Sequence, residues 1–339
     1  MMRWIPLILF CLFLCSCRTP YTIISIEILE PSVKNIPTSC KDLLIYNMVK
    51  AIDSSFIFKF RTSDKKDYNL KPQELNSIDC VISLMDALGS SPRFETITSV
   101  IPENEINISE AAGWNELRKL CVEHKGQLVL CLESFEHHVN IKPVFETSRI
   151  YAEQEDMSPT TFNIKLVAQS KWLLLDPFSR EIVDSTSISY YESYLFKEDV
   201  ETSVYDFFHD SLDWFSDQAY LTGMEYAQRI APKWLIVNRL YYHRGNKEME
   251  KASALAKENK WVEAAEVWMK IYEEGSEELT AKAALNLALA YEMQSYIWKA
   301  RLWALRSYRL KESEEASNYV NELFKRTQDM KKLDEQMFF

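Results

Sequence analysis

Apolar and polar positions change period several times along the chain, and each change marks an element. Residues 22–31, TIISIEILEP, alternate and are β-branched, which predicts a strand ended by Pro31. Residues 42–50, DLLIYNMVK, are more continuously apolar and predict a second, more buried strand. Residues 51–72 are polar and mixed and read as a long loop. In LNSIDCVISLMDALGSSPRF the apolar residues fall at 78, 81, 82, 84, 85 and 88, a helical face closed by Gly89 and Pro92. FETITSVI returns to strand. ISEAAGWNELRKLCVEHKG predicts a helix with Ser109 as its N-cap and Gly126 at its end. QLVLCLESFEHHVNIKPV is a long strand. FNIKLVAQSKWLLLDP and EIVDSTSISYYES form a hairpin around the turn DPFSR.

A longer amphipathic helix follows, over about 198–230. Its apolar side is expected to hold Val204, Phe207, Phe208, Leu212, Phe215 and Tyr220, and Glu198, Asp199 and Glu201 favour its first turn. Pro232 ends it. KWLIVNRLYYH predicts one more strand, and from Asn246 onward the pattern is helical throughout. Strands alternating with helices, then strands, then helices alone predict an α+β domain with a mixed sheet over 17–245, followed by an all-α domain over 246–339. The helical part repeats at an offset of 36 residues: Ala252 and Ala264 recur as Ala288 and Ala300.

The first residues carry a different signal. Arg3 is followed by WIPLILFCLFL, an apolar run too short for a bilayer-spanning helix and the right length for a secretory signal. Its end, Leu14-Cys15-Ser16-Cys17, resembles the bacterial lipobox. That resemblance implies removal of residues 1–16 and acylation of Cys17, which holds the chain to a membrane. Cys15 does not fit the pattern, because bulky Leu14 precedes it directly. RTPY, after the anchor, lacks an acidic surface-export run. The expected location is the outer membrane, facing the periplasm.

The composition is that of a packed globular protein, 47% hydrophobic and 13% aromatic. The net charge is −11, with no basic stripe, so a nucleic-acid partner is not expected. Six glycines assemble no GxGxxG, P-loop or GxSxG, and no cofactor is expected. Cys40, Cys80, Cys121 and Cys131 form no CxxC; all but Cys40 sit in apolar patterns and read as small buried hydrophobes. Adjacent residues of a strand point to opposite faces, so His137 and His138 do not share a metal site. Asp206, His209, Asp210 and Asp213 on one helix read as a solvated face. No metal site and no catalytic residue are assigned.

The cues LLIYN, SLMDALGSSPRFETI, QLVLCLES and LLLDPFSREIVDS resemble the envelope α/β domains of curli-secretion lipoproteins, TolB amino-terminal domains and lipoprotein activators of penicillin-binding proteins. AALNLALAYEMQSYIWKARLWAL resembles a tetratricopeptide repeat, with Asn286, Leu287, Ala288, Tyr291 and Ala300 on its pattern positions. The whole arrangement resembles a Bacteroidota lipoprotein family of unknown function. The repeat resemblance implies a peptide groove lined by Lys257, Lys282, Asn286 and Glu292. The expected function is a non-enzymatic binding or scaffold module for a protein partner. The alternatives are a hydrolase with a spatially assembled site and an oligomeric secretion channel. The channel reading would have to put charges of residues 137–165, Lys142 and Glu146 among them, against lipid at about 2–4 kcal/mol each.

Overall fold

The fold is that of a computed structural model, which describes residues 20–49, 58–61, 67–70, 77–100, 106–144, 161–197 and 204–337. In chain order the elements are β1 (Tyr21–Glu30), β2 (Asp42–Asn47), β3 (Phe58–Arg61), β4 (Asp67–Leu70), α1 (Ser77–Gly89), β5 (Thr96–Val100) and α2 (Ala111–His124). Then follow β6 (Leu128–Val144), β7 (Thr161–Asp176), β8 (Glu181–Lys197), α3 (Val204–Ile230) and β9 (Lys233–Tyr242). The chain continues with α4 (Lys247–Lys257), α5 (Trp261–Glu274), α6 (Glu277–Met293), α7 (Ile297–Leu310) and α8 (Glu314–Gln336). A mixed α/β part is followed by a run of helices, as the pattern predicts. Cys17 and residues 145–160 lie outside the described residues, as do the side chains of His137, His138, Phe207, Phe208, Leu212 and the Asp206–Asp213 group.

The chain divides into two compact units. One is Pro31–Lys233 with the last few residues; the other joins β1 to Trp234–Leu333. β1 and nearly all of β9 therefore belong with the helices rather than with the large sheet.

The sheet unit is built on five strands in the order β5-β2-β6-β7-β8. β2 runs parallel to both β5 and β6, while β6, β7 and β8 are antiparallel neighbours. Alternation decides which side chain meets which layer. Leu43 and Ile45 of β2 pack with α1 and α3, and Leu44 and Tyr46 point the other way, toward α2. A strand covered on both faces needs a continuous apolar run, and DLLIYN supplies it. Trp172 on β7 is fully buried, stacks on Tyr226 of α3 with centroids 5.2 Å apart, and donates its indole N–H to Ser170 Oγ at 2.9 Å. α1 and α3 cross closely because Gly223 has no side chain: a Cβ there would sit 2.0 Å from the Cys80 carbonyl oxygen. The unit brings its two chain ends together, since Lys34 N–H donates to the Arg229 carbonyl at 2.8 Å.

Four local expectations change. Residues 51–72, read as loop, contain the hairpin of β3 and β4, with Phe58 opposite Leu70. Glu110, not Ser109, is the N-cap of α2, and it makes no side-chain capping bond; Ser109 N–H donates instead to Asn107 Oδ1. The left-handed residue after α2 is Lys125, at φ 58°, rather than Gly126. Gly126 answers to packing, for a Cβ there would lie 3.1 Å from Leu44 Cβ. On α3, Phe215 is buried but Tyr220 is 43% exposed; the buried face runs through Ala219, Tyr226, Ala227 and Ile230.

In the helical unit, α4 to α7 form two helical hairpins, and the repeat seen in the sequence is a repeat of hydrogen bonds. Lys260 N–H bonds the Leu255 carbonyl and Ala264 N–H bonds Lys260. At the matching positions Tyr296 N–H bonds Tyr291 and Ala300 N–H bonds Tyr296. The turn residues Asn259 and Ser295 are both left-handed, at φ 61° and 64°. Ala252, Ala264, Ala288 and Ala300 are all fully buried, because small side chains let the paired helices approach. Every residue of α6 from Ala283 to Ala290 is buried, so this helix is the axis of the unit rather than one of its faces.

Candidate functional site

α6 carries most of the groove residues implied by the sequence, and the structure shows what each one holds. Asn286 is fully buried. Its Oδ1 accepts the Tyr242 N–H at 2.7 Å and its Nδ2 donates to the Tyr242 carbonyl at 2.7 Å. This is a two-bond grip on extended backbone, and the backbone gripped is that of β9. A groove Asn would hold a peptide in this way; here the strand comes from the same unit.

Six residues further along α6, Glu292 is also buried and anchors an ionic cluster. Arg239 of β9 donates Nε to Glu292 Oε2 at 2.8 Å and Nη2 to Oε1 at 3.2 Å, a bidentate pair. Tyr319 of α8 donates its hydroxyl to Oε2 at 2.6 Å. Arg239 Nη1 also reaches Glu322 at 2.8 Å. Arg326 Nε lies 3.4 Å from Glu292 Oε1, close enough for charge attraction but without a hydrogen bond. Burial is the largest influence on Tyr319, Arg239 and Arg326. It pushes the Tyr319 phenol well above its ordinary range, with the Glu292 charge adding to the effect. Burial alone would lower the Arg239 guanidinium, but the hydrogen bonds and charge of Glu292 raise it overall. Arg326, lacking such a bond, is held below its usual value by burial.

The four implied groove residues therefore do not form one open face. Asn286 and Glu292 are enclosed with partners in the unit. Lys282 is half-buried and paired with Glu278 at 2.8 Å, with its ammonium 5.5 Å from the Tyr242 ring. Lys257 alone is exposed, at the end of α4. The physical reason is that β9 and the residues just after it run along α6, from Arg239 at Glu292 to Gly245 at Leu279, and cover the positions a ligand would use. Sequence reasoning passed over Arg239, Tyr319 and Arg326. A signal was present for the first: an arginine inside the apolar strand KWLIVNRLYY needs a buried anion.

In the sheet unit, Asp184 on β8 is the matching carboxylate. Arg229 of α3 donates Nε to Oδ2 at 2.8 Å and Nη2 to Oδ1 at 3.0 Å, Tyr226 donates to Oδ2 at 3.2 Å, and Lys34 stands 3.8 Å away. A register shift between β7 and β8 at Leu174/Leu175 places Asp184 opposite Leu174, toward α3. Among the described residues, Cys80 and Cys121 have thiols pushed up to about 12 by burial, and Cys131 is raised further for the same reason. Such thiols are not activated nucleophiles. No three His, Cys, Asp or Glu side chains among the described residues could hold a metal ion, and no helix there is long and apolar enough to cross a membrane.

Fold and site together define a two-part protein, a mixed five-stranded sheet with helices on both faces and a helical repeat that grips its own strand. The chain belongs to the family described as Domain of unknown function (DUF8603), whose model matches residues 43–242. A second model, Domain of unknown function (DUF6340), matches residues 250–325. No curated protein matches the chain. Among solved structures it is similar to the PelC dodecamer from Paraburkholderia phytofirmans, at 7% identity over 62% of this chain and 99% of that one, with a TM-score of 0.26. A variant of the same dodecamer gives 8% identity over the same shares, with a TM-score of 0.25. Scores of this size carry no argument about fold or assembly.

Proposed function

We propose that this chain is a lipid-anchored protein of the cell envelope that binds a protein partner and acts as a scaffold without catalysing a reaction. Cys17 is the acylated residue, and the periplasmic face of the outer membrane is its place. The observation that supports this most is the duplicated helical hairpin, with its turn hydrogen bonds repeated at matching positions. Stacked hairpins bury a core between neighbours and leave extended outer surfaces for partners. The raised cysteine thiols fit the same reading.

The test joins acyl labelling to in-cell crosslinking of the full chain. Replacing Cys17→Ala should abolish labelling and release the protein, and crosslinking of the wild type should recover one protein species reproducibly. Labelling that persists in the variant would remove the anchor. A co-purified small molecule that the protein turns over, with no crosslinked protein, would remove the scaffold.

A further inference from the structure

The outer face of α7 combines exposed apolar side chains with cations and no acidic residue. Its inner face is ordinary: Ile297, Ala300, Trp303, Ala304 and Ser307 are buried, and Ser307 donates to the Ala281 carbonyl at 2.8 Å. On the outside, Trp298 is 59% exposed and Leu302 46% exposed, and half-buried Leu305 continues their line. Positions i, i+4 and i+7 stand one above another on a helix, so these three make an apolar stripe. Lys299, Arg301, Arg306 and Arg309 border it, and α7 has no acidic residue.

The cations on this helix are also held differently. Several other lysines of the unit pair with carboxylates: Lys260 with Glu258, Lys282 with Glu278, Lys325 with Glu30. Among the described residues, none of the four α7 cations has a carboxylate partner. Three rest on aromatic rings instead. Lys299 lies 4.9 Å from the Tyr296 ring and 5.5 Å from Trp298, Arg301 4.6 Å from Phe324, and Arg306 4.4 Å from Trp303. A cation on a ring keeps its charge unneutralised and its hydrogen-bond donors free at the edge. In a chain of net charge −11, four uncompensated cations around an apolar stripe make a local site for an anion with an apolar side.

We propose that the outer face of α7 docks an acidic amphipathic segment of a protein partner, with apolar side chains at helical spacing seated on Trp298 and Leu302. Its carboxylates pair with Arg301 and Arg306. This rests on the binding-scaffold reading and names the surface and the chemistry of the partner. Protein chemistry is favoured over an anionic bilayer by range. A narrow segment senses mainly charges within a Debye length, about 8 Å at physiological salt, and on this face those are led by the four cations of α7. A bilayer presents an extended negative plane to the whole acidic molecule. Tryptophan and arginine are also the residues that most often dominate protein interfaces.

The acylated full chain in detergent is titrated with a labelled synthetic helix bearing leucines on one face and glutamates along both borders. The control has lysine at every glutamate position, and phosphatidylcholine–phosphatidylglycerol vesicles form a third arm. The glutamate peptide should bind with an affinity that falls as salt rises, and the lysine peptide should not. Arg301→Glu with Arg306→Glu should weaken binding at least about tenfold. Trp298→Ala with Leu302→Ala, a pair chosen at exposed positions so that the fold survives, should weaken it while keeping the salt dependence. Equal binding of both peptides, or unchanged affinity in both variants, overturns the proposal. Vesicle retention that depends on Arg301 and Arg306, without peptide binding, overturns it in favour of lipid. A crosslinked partner that the α7 variants still hold removes this surface and leaves the scaffold reading intact.

Discussion

Among the described residues, each unit buries one carboxylate in a nearly identical setting. Asp184 and Glu292 both accept a bidentate arginine, a tyrosine hydroxyl and the attraction of a second cation. The difference lies in the arginine. The Arg229 side chain is 32% exposed, whereas that of Arg239 is 5% exposed. An arginine that reaches water can be rehydrated when its partner is lost. One sealed between β9, α6 and α8 cannot, and the cost of breaking the pair is then the cost of an unpaired charge in a dry interior. Similar chemistry therefore makes a tolerant tie in the sheet unit and a brittle one in the helical unit.

The sharpest way to break this comparison is Glu292→Ala, which takes the bidentate partner from Arg239, leaves it only the half-exposed Glu322, and brings it into conflict with Arg326. A loss of about 3–5 kcal/mol is expected in chemical denaturation. A loss no larger than that of Asp184→Ala would refute the distinction. Asp184→Ala should cost less, about 1–3 kcal/mol. It should also change the acid limb. Burial alone would raise the Asp184 carboxyl, but Arg229, Tyr226 and Lys34 hold it below its usual value. A depressed carboxyl adds stability above its unfolded pKa of about 3.9 and loses it as pH falls further. Urea midpoints followed downward from neutral pH should drop below about pH 4 in the wild type and drop less steeply in Asp184→Asn.

Tyr319→Phe comes next, at about 1.5 kcal/mol for a lost bond to a charged acceptor. The raised phenol adds stability below its unfolded pKa of about 10, and that stability is lost as pH climbs beyond it. The Phe variant should show a shallower alkaline decline; an unchanged decline would separate Tyr319 from the cluster. Lys34→Ala is the smallest change. Its side chain is 38% exposed and its ammonium stands 3.8 Å from Asp184, so a shift within about 0.5 kcal/mol is expected.

What could be read from the sequence follows from the range of each interaction. The strands of the sheet and both helical hairpins declare themselves by period, since alternation and the 36-residue spacing of Ala252, Ala264, Ala288 and Ala300 are local facts. The hairpin of β3 and β4 hid because FKFR and DYNL are only four residues each, too short for a period to emerge from polar surroundings. Asn286 was legible as a residue that grips backbone, but its tenant was not. Nothing in AALNLALAY points to Tyr242, 44 positions earlier. Glu292 and Arg239 are 53 positions apart, and only three-dimensional proximity turns an implied ligand contact into an internal ion pair. The turn after α2 shows a subtler failure: glycine suggested a left-handed residue, yet Lys125 takes that geometry and Gly126 yields space to Leu44.

The pairing of β1 with β9 sets a problem of timing. Thr22 and His243, in contact at 3.1 Å, are 221 positions apart, so β1 leaves the ribosome long before its neighbour exists. Joining such distant points of an unstructured chain costs on the order of 5 kcal/mol in closure entropy. The intervening unit can remove most of that cost. Once it has folded, the Lys34–Arg229 backbone bond holds the two flanking segments side by side, and the loop left to close is a short one. The folded sheet unit then acts as a clasp for the pairing of β1 with β9. Until then β1 is an unpaired, β-branched segment of the kind that aggregates, and its safety depends on how fast the clasp shuts.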